Sequence, residues 1–583
     1  MIDWNCVRRI PRNYREVLRL VVVLGLVCWL GGFGYGAEKT RPNIVLIMTD
    51  DQGYGDLHCH GNKILKTPNL DKFYRQSIRL TNFHVDPTCS PTRSALMTGR
   101  YSARVGVWHT IMGRSLLRQG EVTLAEILRE AGYATGIFGK WHLGDNYPCR
   151  PQDRGFEEVF VHGGGGVGQT PDYWGNNYFD DTYWHNGKTK KVEGYCTDVW
   201  FDAAMKFMRK SKERPFFCYI PTNAAHGPYI VGEKYRNMYV GKPGVRNPNF
   251  YGMITNIDEN VGRLLQFLEE QKMAENTIVI FMTDNGSAVG GYNCGMKGYK
   301  GSEYEGGHRV PCFIRWPQGK LGGGRDIDRL TAHLDLLPTL LELCAVKTPQ
   351  KRRFDGTSLV PLLKGKDRNW PSRTLIVESQ RIERPKKWRK SAVMTDRWRL
   401  VNRTELYDIK ADPGQKKNVA DDNPAIVKRL TAAYESWWKD ISPSHKKNTW
   451  IVLGSSKENP SRLTCHDWHG NQVPWNQRHI QKGQTANGYW TVEFAKAGTY
   501  EFELRRWPRS LNKAINDGKG PKATAAKIKI GDQESTANFA PDSLNSAFRM
   551  KVDAGRTRLQ TWFVGPNGRG RGAYYVYVQR IEK

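Results

Sequence analysis

The run Cys89-Ser90-Pro91-Thr92-Arg93, continuing Ser94-Ala95-Leu96-Met97-Thr98-Gly99, puts a thiol and a fixed cation about one helical turn apart. Pro91 suits the first turn of a short helix, and Gly99 can end it. Backbone N–H groups at such a helix start point outward, so an anion there meets the helix end and the guanidinium together. Taken alone, Cys-x-Pro-x-Arg reads equally as a buried structural cysteine beside a surface arginine, because short motifs recur by chance.

A second set of groups is acidic: Asp50-Asp51-Gln52-Gly53 and, far downstream, Asp284-Asn285-Gly286. Each follows a continuous apolar run, Asn43 to Thr49 and Thr277 to Thr283, of the kind expected for a strand buried on both faces of a parallel sheet. Ligands of open α/β sheets bind at the carboxyl ends of the strands, so the two acidic ends can share one crevice. Clustered, desolvated carboxylates need a counter-charge. Oxygen-only ligands favour Ca²⁺ or Mg²⁺ over zinc or copper. Either acidic end by itself reads as well as a solvated turn.

The intervening elements carry further candidates. Thr123-Leu124-Ala125-Glu126 is a capping box for a helix ended by Gly132, followed by a strand from Tyr133 to Phe138 that runs into Gly139-Lys140-Trp141-His142. An apolar strand from Pro215 to Pro221 delivers Asn223-Ala224-Ala225-His226-Gly227-Pro228. A helix from about Gly252 to Gln271 buries Ile257, Val261, Leu264, Leu265 and Leu268 on one face, as core packing. Gly163 to Gly166 lacks the Gly-Lys-Ser/Thr ending of a phosphate loop and reads as a flexible surface loop. Asp172, Trp174, Asp181, Trp184 and His185 can line a sugar pocket, while strand packing accounts for the tryptophans equally well.

Cys89-Ser90-Pro91-Thr92-Arg93-Ser94 with Thr98-Gly99-Arg100, and Gly139-Lys140-Trp141-His142-Leu143-Gly144, resemble the two signatures of the type I sulfatases of the alkaline phosphatase superfamily. The resemblance covers roughly residues 40 to 440. It implies that Cys89 is oxidised to Cα-formylglycine (3-oxoalanine) by a formylglycine-generating maturation enzyme, and that the hydrate is the nucleophile. It further implies that Asp50, Asp51, Asp284 and Asn285, with the modified Cys89, hold Ca²⁺, Mg²⁺ being the second choice. Arg93, Lys140, His142, His226 and Lys300 take the remaining catalytic positions. Lys300 is assigned from Lys300-Gly301-Ser302 and Glu305-Gly306-Gly307, with Lys297 nearby. Ala225 stands where the family usually has proline, a departure that touches loop rigidity more than chemistry.

The chain has 583 residues, 19 Trp, 26 Tyr and a formal charge of +30, so it is globular, multi-domain and suited to anionic partners. No zinc finger, RNA-recognition signature or basic tail is present, which disfavours nucleic acid. Arg8, Arg9, Arg12, Arg15 and Arg19 precede an apolar run from Leu20 to Leu30, and Gly34-Tyr35-Gly36 offers a cleavage site before Ala37. That run is about 16 Å as a helix, short of a bilayer, so a signal peptide and an exported protein, periplasmic or secreted, without a stable membrane span are expected. The cysteines outside the signal and Cys89 are scattered, several in apolar runs, with disulfides allowed and pairing unassigned.

The expected architecture is α/β: an alkaline phosphatase-like, mostly parallel sheet between helices, a small antiparallel C-terminal subdomain and an appended β-sandwich. The expected boundaries are a signal peptide over 1–36, a catalytic domain over 37–369, the subdomain over 370–445 and the sandwich over 446–583. The sandwich rests on alternating segments such as Thr491 to Phe494, Gly498 to Leu504, Lys527 to Ile530 and Tyr574 to Val578. The expected function is sulfuric ester hydrolysis on a sulfated polysaccharide or its fragments. Alternatives are a phosphomonoester or phosphonate ester hydrolase of the same fold and a non-catalytic sulfated-glycan binder. Oligomeric state is left open.

Overall fold

Asn43–Thr49 is buried along its length because both of its faces are covered: Ile44, Leu46 and Met48 enter one apolar cluster, Val45 and Ile47 another. A computed structural model describes residues 41–348 and 353–581 of the chain. The expected signal peptide lies outside the described residues. Asn43–Thr49 sits in a ten-stranded sheet, with Thr277–Thr283 parallel on one side and Phe216–Pro221 parallel on the other. Ala134–Lys140 and Glu158–His162 continue the parallel order, antiparallel pairs follow on both flanks, and a parallel pair of Ile78–Leu80 with Asp326–Ile327 forms one edge. Helices Cys196–Lys210 and Pro248–Glu270 pack on one face. Cys89–Thr98, Leu124–Glu130 and Leu336–Leu343 pack on the other.

The capping box at Thr123 is present, Thr123 Oγ1 accepting from Glu126 N–H at 3.1 Å and the Glu126 carboxylate from Thr123 N–H at 2.8 Å. The long helix starts four residues earlier than expected, at Pro248. Asn247 caps it by accepting from the Asn249 and Phe250 amides, and Pro248 supplies the first helical φ.

Further along, Leu375–Glu378, Ser391–Met394, Trp398–Val401 and Glu405–Asp408 form an antiparallel sheet covered by Pro424–Ile441. The last stretch folds as two facing sheets around one core that includes Trp468, Trp490 and Phe502. Leu116 and Cys149 belong to that same core, so the two sheets are packed against the large α/β layer rather than tethered to it. No disulfide joins any two of the described cysteines. Among the described residues no helix is long and apolar enough to cross a membrane.

Candidate active site

The register of the two central strands decides where the acidic groups go. Thr49 lies opposite Thr283 in the parallel ladder, so Asp50 and Asp284 emerge side by side at the same sheet edge. Asp284 N–H donates to Thr49 O at 3.0 Å, Asp51 N–H to Asp284 Oδ1 at 3.1 Å, and Asn285 Nδ2 to Asp51 Oδ1 at 2.9 Å. Asp50 N–H and O bond the peptides of Ala224 and Ala225, which join in a cis bond, and this ties in the strand that delivers His226.

The helix Cys89–Thr98 begins at the cysteine itself, with Thr88 as the N-cap residue and Gly99 in the left-handed region at its end. Cys89 is buried, and its Sγ and one oxygen each of Asp50 and Asp284 lie within 4.8 Å of one another. Arg93 reaches across, with Nη2 2.8 Å from Asp284 Oδ2 and Nη1 donating to Lys140 O at 3.1 Å. Lys140, the last residue of its strand, sets Nζ 2.5 Å from Asp50 Oδ2. Lys300 Nζ lies 2.5 Å from Asp51 Oδ1, and His226 Nε2 3.7 Å from Asp51 Oδ2. Lys297 instead turns away to Tyr407 Oη at 3.1 Å. His142 donates from Nε2 to Thr110 O at 2.8 Å, which leaves Nδ1 buried and unpartnered.

Burial alone would raise Asp51, but the charges of Lys300, His226 and Lys140 and the Asn285 amide outweigh it and hold its carboxyl well below the usual range. Burial and the neighbouring Asp50 push Asp284 up to about 7, against Arg93 and Lys140. Burial pulls His226 down to about 4, with Lys300 and Lys140 adding to the effect and Asp51 opposing it. Burial likewise drives His142 well down, helped by Lys140. Burial disfavours the Lys300 ammonium, yet Asp51 more than compensates and keeps the proton on. The resting site thus has neutral imidazoles and a protonated Lys300 at neutral pH.

Two buried oxygens, Asp50 Oδ1 and Asn285 Oδ1, have no hydrogen-bond partner. Orphaned oxygens beside two further carboxylates are the donor set of a hard cation, so these residues fit Ca²⁺.

The glycine run is where the structure corrects the sequence. Gly163 to Gly166 is buried, and it packs on His142 and His226. A Cβ on Gly165 would lie 2.2 Å from His142 Cε1, and one on Gly166 3.2 Å from His226 Nδ1. Glycine is needed for close approach of backbone to imidazole, which a reading by loop composition misses. Asp172 and Asp181 serve that region structurally: Asp172 accepts from the Gly163 and Gly168 amides, and Asp181 from those of Asn177 and Tyr178. Trp174 packs edge-on against Trp507 of the C-terminal sheets, and His185 pairs with Glu158.

Comparison with known proteins agrees with this geometry. The Sulfatase family profile matches residues 42–346, and that of the N-sulphoglucosamine sulphohydrolase C-terminal region matches 299–437. The chain is 33% identical over 367 residues to N-acetylgalactosamine-6-sulfatase of Homo sapiens, covering 57% of this chain and 67% of the relative. It is 28% identical over 522 residues to N-acetylgalactosamine-6-O-sulfatase of Bacteroides thetaiotaomicron, covering 72% of this chain and 99% of the relative. Among solved structures, Ps i-CgsB in complex with k-i-k-neocarrahexaose superposes with a TM-score of 0.64 at 29% identity, over 71% of this chain and 95% of that one. A profile spanning more than half of the chain, on a fold that carries both signatures to one sheet edge, makes the chain a member of the type I sulfatases of the alkaline phosphatase superfamily, and so a sulfuric ester hydrolase.

Proposed function

We propose that the chain releases inorganic sulfate from sulfated saccharides, using Cys89 matured to Cα-formylglycine and Ca²⁺ held by Asp50, Asp51, Asp284 and Asn285. The observation that carries this reading is the cluster of Cys89 with Asp50 and Asp284, whose carboxylates pair with Lys140 and Arg93, beside Asp51 with Lys300 and the orphaned Asp50 and Asn285 oxygens. The sugar-sulfatase relatives support the saccharide class.

Formylglycine at position 89 would supply a hydrated aldehyde as nucleophile, one hydroxyl to attack and a second to release sulfate. Ca²⁺ would supply Lewis-acid charge and a template for oxygen ligands. The chain's own residues do the rest. Arg93 is fixed at both ends of its guanidinium by Asp284 and the Lys140 carbonyl, so it meets developing sulfuryl charge without reorganising. Lys140 and Lys300 bring two further positive charges to the same anion. His226 spends its Nδ1–H on Gly227 O at 2.6 Å, so neutral Nε2 carries a lone pair and takes a proton rather than giving one. That leaves protonated Lys300 as the group placed to protonate the departing alcohol. His142, neutral with Nδ1 free, is a base for a hydroxyl at position 89.

The same reading keeps the protein exported and dependent on a formylglycine-generating enzyme. It divides the chain at residues 369 and 445 into catalytic domain, subdomain and sandwich. The test is sulfate release from a panel of sulfated saccharides and an aryl sulfate by protein co-expressed with that enzyme, with Cys89→Ala as control and mass analysis of the residue-89 peptide. Release that persists in Cys89→Ala refutes the mechanism. Release of phosphate rather than sulfate from matched esters refutes the substrate class.

A further inference from the structure

A strongly basic loop, residues 379–390, follows the strand Leu375–Glu378, with Arg381, Arg384, Lys386, Lys387, Arg389 and Lys390 in it. Its backbone is pinned on both sides of Arg381. Trp108 Nε1 donates to Ile382 O at 3.1 Å, and Glu383 Oε1 is held by Arg114 at 2.9 Å and His469 at 3.0 Å. Gln380 bonds Glu378 and Lys386, and Arg389 closes the loop on Ser379 O at 2.6 Å. The nearest acidic side chain in sequence, Glu383, is therefore already taken. The Arg381 side chain itself is exposed, and among the described residues its guanidinium makes no hydrogen bond or ion pair.

Its position ties it to the site on two sides. Arg381 Nη1 is 4.0 Å from where a Cβ on Gly301 would stand, and Gly301 follows Lys300 and donates its N–H to Pro87 O at 2.8 Å, two residues before Cys89. On the other side lies His109, whose imidazole is lowered to about 3 by burial and then by the charge of Arg381. His109 precedes Thr110, whose carbonyl holds His142. The guanidinium therefore stands unspent beside the Lys300–Gly301 segment and the His109–Thr110 segment that holds His142, in a place where an anion can pair with it.

We infer that Arg381 binds a second anionic group of the substrate, a carboxylate or sulfate ester on the saccharide that carries the scissile sulfate, and so selects polyanionic over singly charged substrates. The planar fork suits either group. This rests on the proposed saccharide sulfatase reading.

The test uses matched pairs that differ by one anion. One pair is N-acetylgalactosamine 6-sulfate and the unsaturated chondroitin 6-sulfate disaccharide, which adds a carboxylate. The other is κ- and ι-neocarrabiose, which differ by one sulfate. 4-Nitrophenyl sulfate serves as a singly charged control. Arg381→Ala should raise KM for the more anionic member of the processed pair about tenfold to a hundredfold, the range for a lost hydrogen bond to a charged group. It should leave the less anionic member and the aryl sulfate within about twofold, a spread smaller than one such bond. Arg381→Lys should fall between, keeping charge without the fork. Which pair responds tells carboxylate from sulfate. Equal losses on all substrates would make Arg381 structural, and no loss on any would remove it from binding; either overturns the inference while the saccharide reading stands. Wild-type enzyme that turns over only the aryl sulfate would overturn both.

Discussion

Gly165→Ala isolates the role of the buried glycine run. An alanine Cβ at position 165 would stand 2.2 Å from His142 Cε1, 2.3 Å from Nε2 and 2.8 Å from Nδ1, more than 1 Å inside ordinary contact for the first two. The backbone at Gly165 is not left-handed, so the conflict is steric and lies with the imidazole. The ring cannot swing aside cheaply: His142 is 4% exposed, its backbone has φ 61, and Nε2 is bonded to Thr110 O. Either the ring or the loop must move by about 1 Å, a displacement that costs about a hundredfold in rate when it falls on a positioned catalytic group. Overpacking of this kind also costs about 1–3 kcal/mol of stability. Gly166→Ala is the internal control, since its Cβ meets Gln169 Nε2 and His226 Nδ1 at 3.2 Å and asks only for tenths of an ångström. The assay is kcat for sulfate release beside a urea unfolding curve for each variant. A Gly165→Ala enzyme with wild-type kcat, or with a loss matched by Gly166→Ala, would refute the reasoning.

Chelation should lower the melting temperature and stop sulfate release, because it leaves Asp50, Asp51 and Asp284 clustered with two orphaned oxygens, and added Ca²⁺ should restore both. Unchanged stability and activity after exhaustive chelation would argue against a resident cation. Glu378 is buried with Oε1 unpartnered, and burial, with Asp86 adding and Gln380 opposing, raises its carboxyl from 4.5 to about 8. The folded chain then keeps a proton that the unfolded chain releases, so the stability this group contributes is full below pH 4.5 and is lost as pH rises toward about 8, at no more than about 1.4 kcal/mol per pH unit. Glu378→Gln removes that term, and its urea midpoint should fall less than that of wild type between about pH 5 and pH 8. Parallel decline of the two proteins would contradict the assignment.

The strands, the helix at Cys89 and the capping box at Thr123 were legible because each is a local pattern. Apolar runs ending in acid, a proline in a first helical turn and a Thr-x-x-Glu spacing act within a few residues. The juxtaposition of Asp50 with Asp284 also followed from sequence, since parallel buried strands present their carboxyl ends to one edge. The start of the helix at Pro248 is not carried by apolar periodicity, which begins near Gly252; its signal is the cap pair Asn247-Pro248.

What covers the site was not legible. That Gly165 must lack a side chain depends on His142, which approaches it in space from a separate strand end. The seat of Arg381 depends on Trp108, Arg114 and His469, drawn from opposite ends of the chain. Residue types and short spacings determined the chemistry available to this protein. Tertiary packing alone decided which groups were left unpartnered at the mouth, because a charge is free or spent according to neighbours that sequence distance does not reveal.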